Sequence, residues 1–356
     1  MWLIFRNSFY KPSPLLLTFC FCLSFYSSAL ASSNDEGEAL QQGIGYGQMG
    51  QHDAAIEAFT QAIQQNTSNI QAYILRGFEY QQKGEFKKAI LDYDRAIQID
   101  PHSAHAFIFR GYCYEKTGGR DAALLNYNSA INIDPASYEA LMSRGNFYED
   151  QDDLEKATAD YTRAAKANPS ASQAYYSRAI VYQKQFRYGQ AVADYDTVLK
   201  LNANDANAYY GRGLCYKNLG DLDQALLDYD QALRLDNTLS EVYCARGIVY
   251  ERKGVLGQAI RDYQKAIEIN PDDAEAYNNL GNAYKFQADL QSALHEYDQA
   301  LEKNPRYADA YQNRALIYFL IKDYSKSRKD LESAAALNSH EAPGFVDALK
   351  TALGTL

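Results

Sequence analysis

Apolar and small positions recur along this chain with a period of 34 residues. Counting from Glu36, the same register restarts at Ile70, Ala104, Tyr138, Ser172, Ala206, Ser240, Ala274 and Ala308, and a ninth unit closes at Glu341 with no insertion or deletion. Position 8 of each unit is small, from Gly43 and Gly77 to Gly281 and Ala315, and position 11 is Tyr from Tyr46 to Tyr318. Position 20 is Ala until Ser327, position 24 is aromatic from Phe59 to Tyr297, and position 27 is Ala except at Val198. Positions 4, 8 and 11 share one stripe of a helix, and 20, 24 and 27 share one stripe of a second. Gly50, Gly84, Gly118, Gly220 and Gly254 supply breaks between the two. Each unit therefore predicts a helical hairpin whose small residues let the axes approach and whose aromatics fill the space beside them. Pro101, Pro135, Pro169, Pro271 and Pro305 keep the same spacing and are expected to stop the second helix. A lone hairpin cannot bury its stripe, so successive units must stack into an all-α solenoid with a continuous core.

The run Tyr73, Gly77, Tyr80, Ala89, Tyr93, Ala96, Pro101 resembles the tetratricopeptide repeat, in a variant with Arg before the Gly and Asp before the second Tyr. The resemblance covers residues 36–341. It implies a right-handed superhelix of antiparallel helix pairs, with first helices lining a concave surface and second helices outside. Departures are local. Thr67, Ala203, Asn237 and Ser339 replace the proline, and Gly45 and Gly47 predict a frayed first helix. Ser327 and Leu331 mark a terminal unit, and a capping helix is expected within 342–356, over residues 343–352.

Position 7 is Arg in seven units, and position 23, on the facing stripe, is acidic in seven. Six units carry both partners: Arg76 with Asp92, Arg144 with Asp160, Arg178 with Asp194, Arg212 with Asp228, Arg246 with Asp262, and Arg314 with Asp330. A row of cations suggests a track for phosphate or an acidic polymer, but an unpaired guanidinium on a buried stripe is costly and a bidentate carboxylate removes most of that cost. The expectation is structural pairing that fixes helix register more than it adds net stability.

Composition narrows the function. The net charge is −10, and the basic residues do not cluster along the chain, which disfavours nucleic acid. Residues 1–31 stand apart: Arg6 and Lys11 precede an apolar run from Leu15 to Tyr26, followed by the small residues Ala29 and Ala31. This reads as a cleavable signal peptide, with 32–35 a short linker and the product periplasmic or secreted; the alternative is an uncleaved membrane anchor. Cys113, Cys215 and Cys244 lack metal-ligand spacing and are expected as free buried thiols, with a Cys215–Cys244 bridge as the alternative. The histidines are scattered, no catalytic motif appears, and the repeats leave no room for a catalytic domain. No catalytic residue, cofactor or metal site is expected.

The resemblance places a ligand on positions 2, 5, 6, 9, 12 and 13 of the first helix. Those positions hold Ile74, Leu75, Phe78, Ile108, Phe109 and Tyr112 in the second and third units, and Tyr176, Ile180, Tyr210, Leu214 and Ile248 in the fifth to seventh. Such residues suit a partner surface, although packing between adjacent first helices is a competing use for them. Asn278, Asn279, Asn282 and Asn313 resemble backbone-clamping amides. Position 2 offers no Lys or Arg, so capture of a chaperone's acidic C-terminal tail is not expected. The expected function is a noncatalytic exported scaffold binding a peptide or helix of a partner protein. Alternatives are a regulatory or targeting subunit of an envelope enzyme complex, or a secreted host-interaction factor. Neither the partner nor the oligomeric state can be read from the residues.

Overall fold

The structure is a computed structural model that describes residues 37–337 and 351. The expected leader and linker, and the expected C-terminal cap apart from the helical Thr351, lie outside the described residues. Every regular element among the described residues is an α-helix. The chain divides into two compact blocks, meeting in sequence between Leu201 and Asn202.

The first block holds α1 (Glu38–Gln48), α2 (His52–Gln65), α3 (Ile70–Gln82), α4 (Phe86–Ile99), α5 (Ala104–Lys116), α6 (Arg120–Ile133), α7 (Tyr138–Asp150), α8 (Leu154–Ala167), α9 (Ser172–Lys184) and α10 (Tyr188–Leu201). The second holds α11 (Ala206–Leu219), α12 (Leu222–Leu235), α13 (Ser240–Arg252), α14 (Leu256–Ile269), α15 (Ala274–Phe286), α16 (Leu290–Lys303), α17 (Ala308–Leu320) and α18 (Tyr324–Leu337). Within each block, first and second helices alternate in the predicted register and each packs on its neighbours in sequence. Helix α1 runs unbroken through Gly45 and Gly47, so the expected fraying is not found.

One contact closes each hairpin. The position-24 rings of Tyr93, Tyr127, Tyr161, Tyr195, Tyr229, Tyr263 and Tyr297 are fully buried, and all but Tyr195, whose hairpin has Ala179 there, lie against a glycine at position 8 of their own first helix. A Cβ added at Gly145 would stand 2.6 Å from the Tyr161 ring. Real side chains do not approach that closely, so the absent side chain sets the distance between the helix axes. The alanines at position 20 are wholly buried beside this contact, including Ala89 and Ala157.

The turn inside each hairpin is more uniform than its sequence. Position 15 has positive φ in all described repeats: in Gly50, Gly84, Gly118, Gly220 and Gly254, but also in Asp152, Phe186, Ala288 and Lys322. Glycine reaches this left-handed region freely, whereas Phe186 sits there at φ 59° with its ring largely exposed.

The turn between hairpins corrects an expectation. Proline is not what ends the second helix. Asn66 and Asp236, which precede Thr67 and Asn237, end their helices in the same extended conformation as Asp100, which precedes Pro101. The shared feature is Asn or Asp at position 31, whose side chain accepts from the residue two on, through its backbone N–H or, at Asn168, from the Ser170 hydroxyl. The bond is 3.0 Å from Ser68 to Asn66, 2.9 Å from His102 to Asp100 and 2.9 Å from Thr238 to Asp236. This Asx turn satisfies the chain as it leaves the helix, with or without proline.

Replacing Phe186 with Gly should raise stability by about 1 kcal/mol by removing the left-handed penalty. Urea denaturation checks this, and a lower midpoint for the variant would show that the Phe186–Tyr188 ring contact outweighs the strain.

Candidate functional site

The arginine ladder forms as expected and goes one step further. Arg178 Nε and Nη2 donate to the Asp194 carboxylate at 2.8 and 2.6 Å, and Arg76, Arg144, Arg212, Arg246 and Arg314 grip Asp92, Asp160, Asp228, Asp262 and Asp330 in the same two-pronged way. Arg110 meets Asn126 instead, through one bond of 2.8 Å. The remaining prong reaches back to position 25 of the preceding repeat, which the sequence reading did not single out. Arg76 donates there to Thr60 at 3.0 Å, Arg144 to Asn128 at 2.6 Å, Arg178 to Thr162 at 3.0 Å and Arg246 to Asp230 at 2.6 Å. Each of these guanidiniums thus ties two successive second helices together. Burial still pushes the Asp92, Asp194 and Asp262 carboxyls above their ordinary range despite the adjacent cation. Desolvation therefore absorbs much of the pairing energy. The ladder is spoken for and is no ligand track.

Repeat 8 breaks it. Leu280 occupies the arginine position, and the half-buried Glu296 opposite has its pKa raised by burial, only partly offset by His295.

The predicted groove residues divide in two. Ile74, Leu75, Phe78, Ile108, Phe109, Ile180, Tyr210 and Asn278 are buried, so packing takes them and they are not open to a partner as expected. Phe78 and Phe109 meet across α3 and α5 at 6.1 Å between ring centroids. Tyr112, Tyr176, Leu214, Ile248, Asn279, Asn282 and Asn313 keep partial exposure. Tyr112 lies edge-on to Phe86 beneath the Lys116 ammonium, and burial pushes its hydroxyl up to about 12. Tyr176 stands edge-on to Tyr195 at 5.6 Å.

The asparagines are largely occupied with one another. Asn313 Nδ2 donates to Asn278 Oδ1 at 3.0 Å, and Lys285 Nζ donates to Asn313 at 3.2 Å and to Asn282 at 2.9 Å. Tyr297 also donates to Asn282, at 2.8 Å. Asn279 Nδ2 is left buried without a partner. Position 12, which the resemblance assigns to the ligand face, instead takes the hydroxyl of the position-24 tyrosine where it is Gln or Glu: Tyr127 donates to Glu115 at 3.0 Å and Tyr195 to Gln183 at 2.8 Å.

Cys113, Cys215 and Cys244 are buried thiols outside any disulfide, and burial raises the Cys113 and Cys244 thiols well above the ordinary range. Among the described residues no group of His, Cys, Asp and Glu side chains could hold a metal ion, and no helix is long and apolar enough to cross a membrane.

These features define an all-α right-handed solenoid of paired antiparallel helices. Tetratricopeptide-repeat profiles match residues 45–69, 70–103 and 206–239, and 110–172 and 280–344, and a TPR-repeat profile matches 187–220 and 252–287. The chain is a tetratricopeptide-repeat protein, and its fold is a protein–protein interaction module. No curated protein matches it. Among solved structures it is similar to the APC/C Cut9–Hcn1 hetero-tetramer, with 16% identity over 95% of this chain and 82% of that one, at a TM-score of 0.55. A tetratricopeptide repeat protein from Parabacteroides merdae shows 21% identity over 71% and 99%, at a TM-score of 0.54. PilF of Pseudomonas aeruginosa shows 20% identity over 62% and 97%, at 0.51. At these identities the likeness is one of fold.

Arg178→Ala should cost about 3 to 5 kcal/mol, because it strands a buried carboxylate. Adding Asp194→Ala should recover part of that loss in urea denaturation; strict additivity would mean the pair is uncoupled. Glu296→Gln tests the gap in the ladder. A carboxyl whose pKa is raised by folding contributes stability below its unfolded pKa and loses it as pH rises through the folded value. The variant should therefore melt higher than the parent at pH 7 and equally near pH 4, and a lower melting temperature at pH 7 would contradict this.

Proposed function

We propose that this chain is an exported, noncatalytic scaffold that holds a peptide or helix of a partner protein on the first-helix face. The observation that carries this reading is the pair of aromatic side chains, Tyr112 and Tyr176, that keep partial exposure, with Leu214 and Ile248, on a face where Ile74, Leu75, Phe78, Ile108, Phe109, Ile180 and Tyr210 are packed away. Each ring is braced edge-on by a second aromatic, which fixes its orientation before a partner arrives. Rigid aromatics rimmed by polar groups are the usual anchors of protein interfaces. Export rests on the basic, apolar and small-residue order of residues 1–31.

Affinity capture from envelope and secreted fractions tests this, with the parent beside a Tyr112→Glu, Tyr176→Glu variant whose helicity matches by circular dichroism. The expected result is a protein retained by the parent and lost from the variant, with the recovered chain beginning near Ser32 by mass spectrometry. Equal capture by both chains would overturn the assignment of this face, and an intact N-terminus would overturn cleavage.

A further inference from the structure

The exposed apolar side chains of the second block are not scattered. Leu219, Val255, Phe286, Leu320 and Ile321 are each between 41 and 60% exposed, and all five stand at positions 13 to 16, the turn inside a hairpin. Each of the four repeats contributes at least one of them. Among the described residues of this block the one other large apolar side chain with such exposure is Leu227, on α12. First helices α11, α13, α15 and α17 pack side by side, so their C-terminal ends and the turns that follow form one edge. The fold itself does not call for apolar residues there. In repeats 2 to 4 of the first block, positions 13 and 14 hold Gln82, Lys83, Lys116, Thr117, Asp150 and Gln151.

Charge is divided between the two edges of the block. On the apolar edge Arg252, Lys253 and Lys322 are exposed between the apolar tips, with Lys253 paired to Asp223. The acids of the same turns, Asp221, Asp289 and Asp323, each accept a backbone N–H at the start of a second helix, at 3.2, 3.1 and 3.2 Å. The positive end of that helix offsets their charge. The opposite edge, made by the turns between hairpins, carries Asp205, Asp236, Asp272 and Asp273 against Arg306, with Asp272 paired to Lys303 at 2.9 Å. It has no exposed large apolar side chain among the described residues of the block. One edge is therefore apolar with cations at its tips, and the other is acidic.

We propose that the apolar edge of the second block docks the chain on the surface of a lipid bilayer. A partner protein would need a shape matched to five side chains carried on separate turns, whereas a lipid surface deforms around each of them. The five side chains enter the headgroup region, the flanking cations meet lipid phosphates, and the acidic edge is turned away by an anionic surface, which orients the block. Either reading of residues 1–31, cleaved leader or anchor, brings the chain to a membrane. So few inserted side chains make a reversible contact. The proposal does not depend on the peptide-binding reading, whose Tyr112 and Tyr176 lie in the other block.

The test places a fluorescent reporter on the edge itself. Trp2 is the one tryptophan of the chain, so full-length Trp2→Phe chains carry either Phe286→Trp or, on the opposite edge, Asn237→Trp. Each is mixed with vesicles of phosphatidylcholine and phosphatidylglycerol in equal parts, with and without bromine on the acyl chains. Bromine quenches a tryptophan only at close range, so vesicle binding by residues 1–31 does not by itself give the signal. The Phe286→Trp reporter should shift to the blue and be quenched about twice as strongly as the Asn237→Trp reporter, or more. Adding Leu219→Ser, Leu320→Ser and Ile321→Ser should abolish that difference while helicity by circular dichroism stays the same. Val255→Trp serves as a second reporter should the first not fold. Equal quenching on the two edges, or a difference that survives the serine changes, would overturn the proposal. So would a blue shift that grows with protein concentration in the absence of lipid and accompanies a dimer in sedimentation, which assigns the edge to a second copy of the chain. None of these outcomes bears on capture through Tyr112 and Tyr176, and loss of that capture leaves this edge standing.

Discussion

A tyrosine ring pressed against a helix that has no side chain to offer is the contact from which the rest of the structure follows. At Gly145 and Tyr161 even one carbon would not fit, so the two axes approach as closely as helices can. That approach buries the alanines at position 20 completely and brings position 7 within reach of position 23. The tyrosine hydroxyl, carried through the hairpin by its ring, then requires an acceptor on the far side. Position 12 meets that requirement where it is Gln or Glu, Asn282 at position 9 meets it in repeat 8, and in repeat 6 it is not met. Core packing and the chemistry of the face are therefore two ends of one side chain.

The fold was legible because its signal repeats. A 34-residue period with invariant tyrosine at position 11 leaves little choice of architecture, and the six arginine–aspartate pairs followed from placing both residues on facing stripes. The turns were less legible. Proline is conspicuous and reads as the stop, whereas the Asn or Asp at position 31 is too common in any chain to stand out, although it recurs without exception from Asn66 to Asn304. Position 15 was legible only where it is glycine. Phe186 carries no hint of its left-handed backbone, because the geometry is imposed by the helices on either side.

The face was the least legible part, and the reason is geometric. From one repeat alone positions 5 and 6 read as free, yet Tyr176 and Tyr210 at position 5 lie against Tyr195 and Tyr229 of their own hairpins. Whether they stay free depends on how far the next first helix stands, which no single helix encodes. Phe78 and Phe109 fill that gap for each other. The asparagines met a similar fate: amides able to clamp a backbone are equally able to satisfy one another, and Lys285 draws them together. Position 12 reads as part of the ligand face because Gln, Glu and Lys look interchangeable on a surface, and they cease to be so once a buried hydroxyl depends on them.

The missing rung at Leu280 gives the ladder a direction. In most repeats a guanidinium binds its own second helix and the one before it, so loosening one hairpin strains its neighbour through a polar strap as well as through packing. Between repeats 7 and 8 that strap is replaced by a leucine, and Gln264, the would-be anchor, turns to the Tyr284 hydroxyl. Coupling there is carried by this one polar link and by apolar packing, with Leu280 buried in one cluster with Ala259 and Tyr263 of repeat 7, so that junction answers to apolar burial where the others answer to charge as well.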